Sequence, residues 1–460
     1  MCVLSEEMAD LYEKIRRFQR SSSMVSPIQP SVESTRSTIS PSTNLASLAS
    51  LPGVSFARDL ETKIRKRAEE RDRFLSTLGG YVQETTQGSF WMRRTVFPER
   101  DLPFSCADMD RQTVAHLGRD AGLQEFDPSR ALFLDVETTG LAGGTGTVAF
   151  LVGIGRFVKG DFAVTQYLMR DYDEEPFMLE GVRRELRSAE ALVTFNGKCF
   201  DVPLLSTRFR MNRVPQGMDA LMHFDLLPPA RRLWRAFCQQ CNLTNLEWML
   251  LGRHRTVDVP GSEIPQIYFD FVRGLRLERM RPVLEHNVED IRSLAMLSAK
   301  ACRLYRDPEN EVSHPQEWFG LGRSHFCEGN HERALMYLKR SLESDLPDDL
   351  RCVALRDTSI LLKKGGAFDE AVLIWEAMLV SGDVFRLFPY EELAKYHEHI
   401  AREPGKALVL VERALDHLNA SSDNPFDRGR ILSRERDIRQ RLEVRLKRLR
   451  RKADIEERGI

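Results

Sequence analysis

Asp135 and Glu137 interrupt the apolar run Ala131-Leu-Phe-Leu-Asp-Val-Glu-Thr-Thr-Gly140. Successive strand side chains point to opposite faces, so residues two apart share one face. Both carboxylates therefore fall on the face that carries Ala131 and Phe133. Two anions held side by side repel each other and call for a cation. Oxygen donors alone suit hard Mg²⁺ or Mn²⁺ rather than zinc. For this fragment by itself the plainer alternative is a solvated strand end before a turn at Thr138-Thr139-Gly140.

Two further acids stand at points where chemistry is often done. Asp201 follows the strand Ala191-Leu-Val-Thr-Phe-Asn196 and precedes Val202-Pro203. Alone it reads as a helix N-cap with proline behind it. Asp290 lies in His286-Asn-Val-Glu-Asp290. At helical spacing it shares a face with Leu294 and Leu297, the stripe that presses on a sheet, with His286 one turn earlier. That pair could simply satisfy itself as an intrahelical His–Asp contact. Asp225, at the end of the short strand Leu221-Met-His-Phe-Asp225, is either a supporting acid or a turn and N-cap residue.

An Asp-x-Glu on a strand, an Asp at a strand-to-helix junction and an Asp on a late helix resemble the four-acid (DEDD) 3′→5′ exonuclease superfamily. Four runs are similar to the YprB-type ribonuclease-H-like domain: Leu134–Gly146, Phe224-Asp-Leu-Leu-Pro-Pro-Ala-Arg-Arg-Leu-Trp234, Val259-Pro-Gly-Ser-Glu-Ile-Pro265 and His286–Asp290. The likeness covers roughly residues 80–305, and helical repeats carry it to about 420. It implies two divalent ions, Mg²⁺ or Mn²⁺, held by Asp135, Glu137, Asp201 and Asp290, with Asp135 bridging. It also implies that a residue near Asp290 aligns the attacking water. His286 stands at the spacing where one subgroup has tyrosine, while the histidine subgroup uses a longer interval. His286 is therefore either the general base, a role suited to a group titrating near neutrality, or a bystander bonded to Asp290. Bound divalent ions reverse the sign of an acid cluster that would otherwise repel a phosphodiester. The implied activity is 3′→5′ exonucleolytic hydrolysis of DNA or RNA at a single-stranded end. One rival is a non-catalytic nucleic-acid-binding adaptor that works through its repeats. Another is hydrolysis of a small phosphoester at the same metals.

The elements that must position these residues follow from pattern. Strands are expected at 131–137, 147–154 and 162–168, the last two joined by the Lys159-Gly160-Asp161 turn as a hairpin, then at 191–196 and 221–225. Helices are expected at 175–188, 202–211 and 282–305, with another starting at the capping box Thr244-Asn-Leu-Glu247. This gives an α/β fold, a ribonuclease-H-like mixed five-stranded sheet flanked by helices. Residues 81–98 form a hairpin or an extended arm leading into it.

Beyond Pro308, helix pairs take over. Trp318, Leu321, Gly322, Ala334 and Leu338, with Pro347 behind them, fall at tetratricopeptide spacings. Leu355, Ala371 and Trp375 repeat the pattern, and Ala407 and Ala414 do so more weakly. An all-α tetratricopeptide-like domain with a protein partner is the expectation. The tail from Arg428 to Lys452 is arginine-rich with interleaved leucines, either an amphipathic helix packed on the repeats or a strip attracting nucleic acid.

The division is 1–55, a disordered segment with a short helix; 56–125, a helix and extended arm; 126–306, the nuclease-like domain; 307–425, the repeats; and 426–460, a basic helix. A length of 460 residues suits about three domains. The formal net charge of −1 names no partner. Eight scattered cysteines form no disulfide framework, and no apolar run suits a membrane span or secretory signal, so a cytoplasmic setting is expected. Cys238-Gln-Gln-Cys241 is read as a pair of buried helix cysteines rather than a zinc or redox site. Gly140-Leu-Ala-Gly-Gly-Thr-Gly146 is read as a tight turn that lets a substrate backbone approach, since it lacks the spacing of phosphate-binding loops.

Overall fold

A computed structural model of the chain describes residues 78–140, 146–238, 240–255, 258–381, 387–421 and 431–457. All lie in Arg67–Ile460, one of the two compact units of the chain. The expected N-terminal helices and linker, and the centre of the glycine-rich turn at 141–145, fall outside the described residues.

The segment before the expected sheet is part of it. Strands β1 (Tyr81–Glu84) and β2 (Ser89–Phe97) form an antiparallel hairpin around a turn closed by the bond from Thr85 N–H to the Gly88 carbonyl, 2.8 Å. Phe90 and Trp91 of β2 are buried. Helix α1 (Arg111–Gly118) follows, its first turn capped by the Asp110 carboxylate, which accepts from Thr113 N–H. Strands β3 (Ala131–Thr138), β4 (Ala149–Val158) and β5 (Asp161–Leu168) make an antiparallel meander. The tight β4–β5 turn uses Lys159 and Gly160 at positive φ, as a two-residue hairpin requires. Helix α2 (Glu175–Arg187) leads to β6 (Ala191–Thr194), helix α3 (Asp201–Met211) and β7 (Met222–Asp225). The order is β1-β2-β5-β4-β3-β6-β7, with β6 parallel to both β3 and β7. The sheet thus has seven strands rather than the expected five, because β2 pairs along the whole of β5 and removes an exposed edge.

Four helices follow: α4 (Leu227–Trp234), α5 (Leu243–Leu251), α6 (Ile264–Val272) and α7 (Met280–Arg306). Helix α5 begins one residue before the expected capping box. Asn242 is its cap, accepting from Asn245 N–H at 2.8 Å, which leaves Thr244 inside the first turn. Cys238 and Cys241 lie between α4 and α5 and not in a helix, and both are free thiols. The alternation of β3 sorts its residues into two cores. Ala131 and Phe133 pack with Leu117, Ile291 and Leu294, whereas Leu132, Leu134 and Val136 pack with Met178, Leu205, Phe209 and Tyr268.

Helix pairs complete the chain: α8 (Pro315–Glu328) with α9 (His331–Leu342), α10 (Asp348–Lys364) with α11 (Phe368–Ser381), and α12 (Phe388–His399) with α13 (Pro404–Ser421). The small residues singled out by spacing are at the contacts. Ala334, Ala371, Ala407 and Ala414 are fully buried, and Gly322 is packed against Leu338. Leu355 is half-buried and its neighbour Ala354 takes the inward position. The last helix, α14 (Ile431–Glu457), buries Leu442 and Leu449 against α13, so its packed reading describes it. Arg448 and Lys452 are tied to Glu398 of α12 at 2.7 and 3.0 Å. Among the described residues no helix is long and apolar enough to cross a membrane.

The sheet domain and the helix pairs meet at α4 and α8. Trp234 Nε1 donates to Glu317 Oε1 at 2.9 Å, and Gly320 lies so close to Leu233 that a Cβ would collide with its carbonyl oxygen. We expect Gly320→Ala to cost about 1–3 kcal/mol, because backbone must move. Gly405→Ala, with nothing within 4 Å of its added carbon, should be neutral or slightly stabilising. Thermal unfolding of both variants checks the contrast, and equal melting temperatures would refute the tight junction.

Candidate active site

The end of β3 is held in place by a row of residues running across the sheet. Asp135 stands opposite Gly153 of β4, Gly153 opposite Gln166 of β5, and Gln166 opposite Arg93 of β2. Glycine at 153 leaves space over the sheet that Asn287 and Ile291 of α7 fill; a Cβ there would strike both side chains. Asn287 uses the space to donate to Asp135 Oδ2 at 2.7 Å. Its own oxygen accepts from Gln166 Nε2 at 2.9 Å, and Gln166 Oε1 accepts from Arg93 Nε at 3.0 Å. Asp135 is therefore oriented by a hydrogen-bonded chain that begins on the added strand β2.

Asp201 occupies the first position of α3, not the cap; Phe200 precedes it as the N-cap, without a side-chain bond. Pairing of β3 with β6 ends at Phe133, and further along β3 the Val136 N–H bonds the Asp201 carboxylate. The loop carrying Asp201 is shaped by Asp225. Its carboxylate accepts from Asn196 N–H at 2.7 Å, Lys198 N–H at 3.0 Å and Leu227 N–H at 3.1 Å. Of the two roles open to Asp225, the turn-holding one is what its bonds describe.

Asp290 and His286 share one face of α7, as helical spacing requires. His286 Nε2 lies 3.4 Å from Asp290 Oδ2 and 3.9 Å from Glu137 Oε1. Its Nδ1 is 2.6 Å from Asp258 Oδ1. Arg255, whose side chain is only 7% exposed, bonds Asp290 Oδ1 at 2.5 Å and Glu247 Oε2 at 2.7 Å. Arg255, Asp258, Glu247 and Asn287 are site residues that sequence reasoning missed. Asn287 could have been suspected as the neighbour of His286, and Asp258 as the neighbour of the Val259-Pro-Gly run. Nothing in the sequence pairs Arg255 with Asp290, since they are 35 residues apart.

The electrostatics follow from burial and like charge. Burial pushes the Asp135 carboxyl well above the usual range, and Asp290, Glu137 and Asp201 push it the same way. Burial drives Glu137 up to about 7; His286 opposes this, while Asp290 and Asp201 reinforce it. Asp201 is also raised to about 7, by burial first, against the pull of two backbone N–H bonds and with Asp225 and Asp290 adding to the rise. Burial would depress the His286 imidazole, but Asp290, Glu137 and Asp258 outweigh it and hold it above its ordinary value. Asp290 and Asp201 thus act on both acids of β3, and Asp290 acts on Asp201 as well. Among the described residues, however, no three of His, Cys, Asp or Glu stand together as a ready ligand shell. Asp290 is engaged by Arg255, His286 by Asp258 and Asp135 by Asn287. The all-oxygen donor set fits a hard divalent ion, and the mutual repulsion is what such an ion would relieve.

Beside Glu137 and Asp201 lies a cleft of about 610 Å³, bordered also by Thr138, Phe200, Leu204 and Ile264. Phe200 is 57% exposed there.

A family model described as RNase_H superfamily matches residues 132–302, the range that contains the four acids and His286 but not Arg93. The uncharacterized protein YprB of Bacillus subtilis (strain 168) is 31% identical over 330 residues, 71% of this chain and 76% of YprB. The chain belongs to the YprB family. Its YprB-like alignment is longer than the ribonuclease-H-superfamily range, and membership of that superfamily suggests nuclease activity on a nucleic-acid substrate. A family B DNA polymerase from the archaeon Pyrobaculum calidifontis gives a TM-score of 0.29 at 13% identity, covering 44% of this chain and 29% of the polymerase. A likeness that slight carries no argument.

Folding favours the protonated forms of Glu137 and Asp201, whose values lie near 7 in the folded protein and near 4 when unfolded. That contribution is complete below the unfolded values and is lost as pH rises through about 7. In EDTA the melting temperature should therefore fall between about pH 5 and 7.5 and then level off. Asp135→Asn, by removing a carboxyl whose own pKa folding raises, should shrink the fall. A rise over that window in the wild type would contradict the crowded-acid description.

Proposed function

We propose that this YprB-family chain is a divalent-metal-dependent nuclease, a 3′→5′ exonuclease that hydrolyses phosphodiester bonds of DNA or RNA from a single-stranded end. The observation that supports this reading is that Glu137, Asp201 and Asp290, carried by three elements, all raise the pKa of the buried Asp135 near the end of β3. In this reading Asp135, Glu137, Asp201 and Asp290 hold two Mg²⁺ or Mn²⁺ ions. When bound, such ions supply the positive charge that admits an anionic phosphodiester and eases ionisation of water.

The chain's own residues do the rest. Asn287 fixes the Asp135 carboxylate through a single oxygen and leaves the other available. With its Nδ1–H given to Asp258, neutral His286 presents an Nε2 lone pair toward Glu137 and Asp290. From there it takes the proton of the attacking water, the general-base role. The 610 Å³ cleft is of a size for one nucleotide, and Phe200 offers a face on which a terminal base can stack. A cleft with a largely apolar lining beside the acids suits a terminal nucleotide, which favours stepwise removal from an end over internal cutting. The helix pairs, as tetratricopeptide-like repeats over 307–425, serve as the docking platform for a protein partner, separate from the nuclease domain at 126–306.

Labelled single-stranded DNA and RNA, incubated with Mg²⁺ or Mn²⁺, test the reading. We expect stepwise release of nucleotides by the wild type, abolished by EDTA and reduced at least about 10³-fold by Asp135→Asn, the worth of several kcal/mol of charge stabilisation. His286→Ala should lower kcat about 10²–10⁴-fold with Mn²⁺ uptake retained by calorimetry. Phe200→Ala should act mainly on KM. A wild type that neither cleaves any substrate nor takes up Mn²⁺ would leave the non-catalytic adaptor as the better reading.

Because Glu137 and Asp201 are protonated below about pH 7 in the metal-free protein, ion uptake must displace protons there. Calorimetry in buffers of different ionisation enthalpy should show proton release on Mn²⁺ binding at pH 6.5 and less at pH 8.5. The same apparent heat in every buffer at pH 6.5 would count against these acids as the ligands.

A further inference from the structure

The junction of the sheet domain and the helix pairs holds a second concentration of charge, of opposite sign to the acid cluster. A cleft of about 460 Å³ between α4 and α8 is lined by Arg119, Arg231, Arg232, Arg235 and Arg323. In a chain with 67 basic and 68 acidic residues, five guanidinium groups in one cleft are not a product of composition. Their partners are few. Arg323 lies 3.2 Å from Asp357, which is also bonded by Arg356 at 2.8 Å. Glu328 attracts Arg232 but is bonded to Tyr305 and Ser324 at 2.6 and 2.9 Å. Among the described residues, Arg119, Arg231 and Arg235 have no carboxylate within 4.0 Å.

Two observations indicate that the cations are held for a ligand rather than tolerated. Arg232 reaches the Leu117 carbonyl through Nη2, yet its Nε is buried without an acceptor. Burial, together with the charge of Arg119, pulls the Arg232 guanidinium down to about 10. The dipole of α4 accounts for cations in its last turn. It does not account for the approach of Arg119 from the end of α1 and Arg323 from α8. The frame beneath them is fixed by the Gly320–Leu233 contact and the Trp234–Glu317 bond.

The chemistry of the lining selects the ligand. Planar guanidinium forks match phosphate oxygens. Phe319 in the floor is buried, so the cleft offers no exposed aromatic face to a base. A neighbouring cleft of about 780 Å³ shares Arg119 and Cys327 and continues past Arg111 and His116, with Asp120, Glu125 and Glu328 also at its edge. The groove is therefore longer than a single phosphate.

We propose that this arginine-lined groove binds the phosphodiester backbone of a nucleic-acid strand, without regard to base sequence. It is a holding site apart from the carboxylates, since α4 starts at the Asp225 turn and carries Arg231 and Arg235 at its other end. The choice of nucleic acid among polyanions rests on the nuclease reading.

The test is binding without cleavage. Full-length Asp135→Asn protein in EDTA is titrated into 5′-fluorescent single-stranded DNA and RNA 20-mers of mixed and homopolymeric sequence, at several salt concentrations. Adding Arg231→Ala and Arg235→Ala, both exposed positions, should weaken binding about tenfold or more at low salt. It should also reduce the slope of log K against log salt by about 1.4, at about 0.7 per lost phosphate contact. Arg441→Ala with Lys447→Ala on α14 should change neither. Unchanged affinity and slope in the folded Arg231/Arg235 variant overturn the proposal, as does absence of binding altogether. Competition by tripolyphosphate equal to that by oligonucleotide, per phosphate, would also overturn it by marking a small-anion site. Cleavage by the wild type is scored separately. A nuclease whose groove variant binds normally loses only the groove, and a groove-dependent binder that never cleaves loses only the nuclease.

Discussion

The constraint on which the site depends is the burial of like charges at the end of β3. A strand whose alternation buries Ala131 and Phe133 on one face must turn Asp135 and Glu137, both half-buried, to that face too. Water is largely withdrawn there, so the carboxylates need protons, donors or cations. The surrounding structure can be understood as the supply of these. Asn287 donates to Asp135, the Val136 N–H serves Asp201, and Arg255 answers Asp290 and Glu247. Burial above all, and the neighbouring acids after it, outweigh what they provide and leave Glu137 and Asp201 near 7.

That requirement reaches well beyond the acids. Asn287 can approach Asp135 only because residue 153 has no side chain, and Asn287 is oriented by Gln166, which Arg93 holds in turn. Strand β2 therefore contributes to the site although it carries none of the acids. Pairing β2 with β5 closes an open edge and at the same time supports the end of the chain that orients Asp135. Asp225 does comparable work on the other side by gathering three N–H groups of the Asp201 loop and the start of α4.

Local pattern made much of this legible. Period-two runs located the starts of β3, β4 and β5 to within two residues, though β4 runs four residues past its expected end, and the acid pair was evident because it broke such a run. Small residues at repeat spacing identified the helix pairs, because close helix approach leaves few alternatives at those positions. Long-range pairing was less accessible. The segment 81–97 read as a hairpin or an arm leading into the sheet, not as two of its strands, because nothing local shows that β5 has a free edge. The cap of α5 shifted to Asn242 because two competent residues lie two apart, and tertiary fit selects between them. Arg255 was invisible for a similar reason: its partners come from α5 and α7, so its role exists only once those helices are packed.

The near-zero net charge of the chain also conceals its organisation. Charge is segregated, with carboxylates crowded around β3 and guanidinium groups crowded where α4 meets α8. Each crowd is locally unfavourable, as the raised acids and the depressed Arg232 record. Retaining both kinds of repulsion in one compact unit makes physical sense where a ligand of the appropriate sign completes each. A phosphodiester chain with its accompanying divalent ions has both signs. On the proposals made above it would bring cations to the acid cluster and phosphates to the arginines, so a single substrate would relieve the two strains that folding leaves in place.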